Sequence, residues 1–256
     1  MFNIFRKKET QEGKAAAMDG KLAALKSAID AKKKQNLLAG LQVAAKEVNQ
    51  RLIASMKTER GVHIESFLVV LGSLAGFSCQ MAAREKLANP TGGPQAQGSW
   101  AIATGSDGTQ YYFGDLLNKP LVEDQHSVWS LVAGAVQKLG AQIPDVNDIF
   151  KHVAGTVGSG GFGVPRIPAD HSPGDLPINF LKVAWPKMLP LISQLCDGPG
   201  EWPLLFGIAI QEAIGMAKGM INPTLAASIA MEAAVPMSKV DLPEFYQPAG
   251  ADPVSR

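Results

Sequence analysis

Apolar residues recur at helical spacing over most of the chain. Met18, Leu22, Leu25 and Ile29 fall four, three and four residues apart, which predicts a helix over 14–35. Lys32 and Asn36 occupy the positions where that stripe should continue. A second stripe opens at Leu37 and runs through Leu41, Ala45, Val48, Leu52 and Met56. Two narrow stripes in succession predict a helical hairpin or one long bent helix. From His63 to about Leu87 apolar residues lie nearly all round the helical wheel, so that helix belongs inside the core.

The period then changes. NPTGGPQAQG, 89–98, has the composition of a linker. WAIAT and TQYYF flank GSDG and predict a β-hairpin near 99–114, bent at Asp107-Gly108. Helical spacing resumes at Val128, Leu131, Val132, Ala135, Val136 and Leu139 and stops at Gly140. Asp145 is placed to cap the next helix. PINFLKVAWPKMLPLISQLC predicts a helix broken near Pro186 and Pro190. Pro203 suits a first helical turn, and Asn222-Pro223 reads as an N-cap followed by proline at N1. Small residues at Gly72/Gly76, at Gly215/Gly219 and at Ala209, Ala213 and Ala217 predict close helix packing.

These elements describe a mainly α protein: a compact helical domain with one small β-hairpin and a basic N-terminal helical arm. The arm is expected over 1–60, loosely ordered at 1–13. The helical core is expected over 61–241, with a loose tail over 242–256.

Composition narrows the class. Hydrophobic residues at 46% against 18% charged exclude a disordered chain. Charge is unevenly placed: residues 1–60 hold 13 Lys/Arg against 6 Asp/Glu, and the remainder 11 against 17. Arg6, Lys7 and Lys8 follow an apolar tip of Phe2, Ile4 and Phe5, and Lys32, Lys33 and Lys34 form a second cluster. Such an arm is suited to a protein partner, and more weakly to an anionic membrane surface. Nucleic acid is disfavoured, because the whole chain is not basic and no reader motif occurs. The uncharged run from Phe67 to Ala83 falls short of the roughly 20 residues of a membrane span, so no transmembrane segment is expected. No apolar stretch of signal-peptide type follows the N-terminal basic run. Cys79 and Cys196 stand alone without a C-x-x-C, which excludes a zinc ribbon and fits a cytoplasmic protein.

Candidate chemistry is sparse. In TVGSGGFGVPR, Gly158, Gly160 and Gly163 match G-x-G-x-x-G, but a helix precedes them and Pro165 and Pro168 follow. A pyrophosphate loop needs a strand before it and a helix after it, so nucleotide binding is not expected. His63-Ile64-Glu65 is half of a deaminase signature whose P-C-x-x-C half is absent. No G-x-S-x-G occurs, and the histidines at 63, 126, 152 and 171 lack metal-ligand spacing, so neither cofactor nor metal is expected. One polar loop stands out, VPRIPADHSPGD, with Arg166 for an anion and Asp170 and His171 for proton transfer. Glu212 is a carboxylate set in a strongly apolar helix. Two functions follow: a non-catalytic binding or assembly protein using the basic arm and its helix faces, or an enzyme with its site in the 158–175 loop.

Overall fold

The computed structural model describes residues 11–90, 98–105 and 108–246. Among the described residues the fold is mainly α-helical with one two-stranded antiparallel hairpin. Helices α1 (Gln11–Lys33) and α2 (Leu37–Met56) form the predicted hairpin rather than one bent rod. Asn36 explains the break: its side chain caps α2 by accepting from the Leu38 amide at 2.9 Å. Gly40 lets the two helices close, since a Cβ there would meet the Ile29 carbonyl at 2.9 Å. Ile29, Leu41, Ala45, Val48 and Leu52 join the main core, so α1 and α2 share it with the body.

Helix α3 (Ile64–Ala88) is the centre of the molecule, buried from Glu65 to Ala83. Among the described residues it is the one helix long and apolar enough to cross a membrane, and that stretch is wholly buried by its neighbours. The last helix, α9 (Pro223–Met237), crosses it most intimately. A methyl added at Gly72 or Gly76 would overlap the carbonyl of Ala230 or Ala234. That stripe packs as predicted. Ala209, Ala213 and Ala217 are buried too. Gly215 faces open space, and Gly219 lies past its helix at φ +84°, so the Gly215/Gly219 pair makes no packing seam.

Strands β1 (Ala101–Thr104) and β2 (Gln110–Phe113) pair with Ala101 opposite Phe113. Asp107 lies outside the described residues. One turn of helix, α4 (Asp115–Asn118), and a π-turn over Lys119–Glu123 lead to α5 (Val128–Lys138). Ser127 caps α5, and Gly140 takes φ +71° beyond its end. Asp145 caps α6 (Val146–Thr156). Helix α7 (Pro177–Leu195) runs unbroken through Pro186 and Pro190, against expectation. Both prolines are exposed and four residues apart, so the backbone bonds they remove lie on a face where water replaces them. Helix α8 (Trp202–Met216) carries Pro203 in its first turn, and Asn222 caps α9 through the Thr224 amide.

The start of the expected loose tail is docked. Leu242 is buried, Phe245 packs edge-on against Phe77, and Tyr246 stacks on the Arg84 guanidinium. The remainder, 247–256, lies outside the described residues.

Candidate functional site

The polar loop is a strap. Residues 157–176 link α6 to α7 and are fastened down at several points. Gly158 and Gly163 take φ near +70°, a left-handed conformation that glycine adopts freely. Helix α6 precedes them and Pro165 and Pro168 follow, so the strand–loop–helix frame of a pyrophosphate site is missing. Phe162 stacks edge-on against Tyr111, with centroids 4.7 Å apart.

Arg166 forms the first polar anchor. Its Nη2 and Nε lie 2.8 and 3.0 Å from Glu232 Oε1 on α9, and its Nη1 lies 2.9 Å from Asp148 on α6. Burial pushes the Glu232 carboxyl above its usual range, against the opposing pull of Arg166 and His152. His152 Nε2 is itself buried without a hydrogen-bond partner. Asp145, Asp148, Arg166, Ser228 and Glu232 border an open polar cleft of about 480 Å³.

His171 forms the second anchor, at the start of α3. Its Nδ1 lies 2.8 Å from Glu65 Oε1, while His63 Nε2 lies 3.3 Å from Glu65 Oε2. His63 Nδ1 lies 2.8 Å from the Ser66 hydroxyl, which also accepts the Gly174 amide at 2.9 Å. Asp170 is exposed, with one carboxylate oxygen 3.9 Å from His171. Asp175 is exposed too, and the Asn179 amide and Leu176 N–H hold its carboxyl below the usual range.

Arg166, His171 and Glu212 therefore do not converge. Glu212 lies on α8, where Asn49 of α2 donates to it at 3.4 Å. Partial burial pushes its carboxyl up, opposed by Lys46 and Asn49. Glu232, Ser66 and Asp148 carry no motif in the sequence that marks them as functional partners, whereas Glu65 stands in the His63-Ile64-Glu65 match. Glu232 carries the same signal as Glu212, a lone carboxylate among apolar residues (SIAMEAAV).

Among the basic residues, Lys33 turns inward. Its ammonium lies 2.5 Å from Glu201 and 3.1 Å from Asp197, and Lys26 lies 3.1 Å from Asp197. Lys32 and Lys34 are exposed. Arg6, Lys7 and Lys8 lie outside the described residues.

Cys79 and Cys196 are free and buried, and burial pushes both thiols up, Cys196 to about 12. Lys239 is 3% exposed, and among the described residues its ammonium makes neither hydrogen bond nor ion pair. Its ammonium sits 5.0 Å from the Phe113 ring centroid and 5.5 Å from that of Phe150, and burial lowers its pKa to about 8. No group of three or more metal-ligating side chains converges among the described residues.

A second kind of site is apolar. The corner at 57–63, joining α2 to α3, lies beside the corner at 217–222, joining α8 to α9. Between them runs a groove of about 290 Å³ walled by Ile53, Val62, Ile64, Phe67, Met216 and Met220, with Arg60 at the rim.

The fold defines a mainly α-helical protein with, among the described residues, a single small hairpin. Comparison of the chain with protein-family models, with curated proteins and with solved structures returned no match in any of the three.

Proposed function

We propose that the protein is a non-catalytic binding protein that docks an acidic amphipathic helix of a partner in the groove between its two helical corners. The exposure of Met216 and Met220, 49% and 72%, carries this reading. Two large apolar side chains beside an apolar groove are left to water unless something covers them. Methionine suits such a surface because its flexible thioether adapts to different apolar anchors. Lys57, Arg60 and Lys218 stand exposed on the same corners, where Glu59 is the single acid, so the rim favours an anionic partner. Exposed Lys32 and Lys34 lie at the other end of α2 and would extend the contact of a partner running along that helix.

The test is a synthetic 18-residue helical peptide with Leu at i, i+3, i+4 and i+7 and Glu elsewhere, followed by fluorescence anisotropy. Saturable binding that weakens with salt and disappears in Met216→Glu/Met220→Glu is expected. Absence of binding, or equal binding by the same peptide with Lys in place of Glu, overturns the proposal.

A second reading, an enzyme with its site where the strap meets the start of α3, is favoured by the Ser66–His63–Glu65 chain, which His171 and Gly174 of the strap join. A hydroxyl bonded to an imidazole whose other nitrogen meets a carboxylate has the wiring of an activated serine. Labelling of Ser66 by a fluorophosphonate, lost in His63→Ala, supports that reading; an unlabelled Ser66 removes it.

A further inference from the structure

We infer that the protein holds a second binding site, between α2 and α7, which takes a medium-chain aliphatic carboxylate. Leu52 and Met56 of α2, Val70 of α3 and Phe180, Ala184 and Met188 of α7 line a half-open, mainly apolar cavity of about 330 Å³. It shares no residue with the corner groove. The volume falls at the lower end of the roughly 300–1,000 Å³ typical of ligand pockets. At about 30 Å³ per carbon, the share of one water molecule in the liquid, it accommodates an alkyl chain of about ten carbons.

The mouth supplies the head-group chemistry. Arg51 and Lys187 line it, and among the described residues no carboxylate does. Arg51 Nε is taken by Glu47 at 2.7 Å, which leaves both terminal guanidinium nitrogens without a partner among the described residues. Lys187 is exposed and makes no ion pair among those residues. Two cations at the lip of an apolar cavity fit one ligand end of negative charge and one of hydrocarbon. A guanidinium also matches a carboxylate's two oxygens in a forked geometry. The side chains at the lip are long, so they can meet the head group while the alkyl chain lies inward against Val70.

The ligand series is its own test. Hexanoate, octanoate, decanoate and tetradecanoate, each below its micellar concentration, are titrated calorimetrically into the full chain. Affinity should rise about fourfold per added methylene, the equivalent of about 0.8 kcal/mol each, and level off once the cavity is full. Decanol and decylamine should bind at least tenfold more weakly than decanoate. The surface variant Arg51→Gln/Lys187→Gln should lose about tenfold for decanoate while keeping its melting temperature. Equal affinity for decanoate and decanol, no dependence on chain length, or no saturable binding at 5 mM overturns the proposal. So does a protein that sediments with phosphatidylglycerol vesicles but does not titrate with decanoate.

Discussion

Arg166 on the strap and Glu232 on α9 form a forked ion pair, with two guanidinium nitrogens 2.8 and 3.0 Å from one carboxylate oxygen. The carboxylate side chain is only 5% exposed and the guanidinium 39%. The pair therefore joins a buried charge to one that still reaches water, and its loss should act mainly through Glu232.

Arg166→Ala should cost about 1–3 kcal/mol at pH 7, the penalty of a desolvated polar group stripped of its partner. The folded Glu232 pKa already lies above its ordinary value of 4.5, and Arg166 holds it down. A carboxyl whose folded pKa is raised loses stability as pH rises from the unfolded value through the folded one. Removing Arg166 raises that value further, so the deficit against wild type should shrink between pH 7 and pH 5. Melting temperatures of both proteins at both pH values decide it; an equal deficit at each rejects this account.

Lys33→Glu should loosen the docking of α1 on the body by about 2 kcal/mol. That lies between the ~1 kcal/mol or less of an exposed ion pair and the 3–5 kcal/mol of a fully buried pair that is broken. The same change at exposed Lys32 or Lys34 should cost under ~0.5 kcal/mol. The Asp197 carboxyl is held below its usual range by Lys26 and Lys33. Its contribution is present above the unfolded value, near 3.8, and is lost as pH falls through the folded one. Limited proteolysis should therefore cut α1 faster in Lys33→Glu at pH 7. Unchanged cutting shows that the inward pairs hold nothing.

Lys239→Met should stabilise the protein by about 1–3 kcal/mol at pH 7, because it replaces an unpaired buried cation with an apolar side chain of similar length. The folded pKa of about 8 lies below the ordinary 10.5. The Lys239 contribution should make wild-type stability rise between those two values as the buried amine becomes neutral. The variant should lack that rise. Denaturant midpoints from pH 7 to pH 10 measure it, and parallel profiles for the two proteins would mean that the amine is solvated.

What sequence reveals here is local. Asp145 and Asn222 mark helix starts because a cap acts within three residues, while Asn36 shows in sequence only as a break in the apolar stripe. Gly72 and Gly76 announce a close crossing because only a missing side chain permits one. The site partners are another matter. Arg166 meets Glu232 across 66 positions and Lys33 meets Glu201 across 168, and no short-range pattern encodes such pairings. Glu212 and Glu232 look alike in sequence. They differ in which face the neighbouring helices leave open, half-exposing Glu212 and covering Glu232 beneath the strap. The basic 1–60 segment likewise shows its charge but not its direction: Lys33 faces the body, while its neighbours Lys32 and Lys34 face water.

The seam between Gly72, Gly76 and the Ala230 and Ala234 carbonyls joins segments far apart along the chain, and this bears on biosynthesis. Helix α3 leaves the ribosome as an apolar rod long before the helix that covers it has been made. At roughly 5–20 residues per second, the delay before Ala234 is added is on the order of ten seconds. During that interval this long apolar helix lacks α7, α8 and α9, the helices that pack on it, and must be shielded by a chaperone or by transient contacts within the nascent chain. A message truncated before α9 would yield a product with that rod uncovered, a target for quality control rather than a smaller working protein.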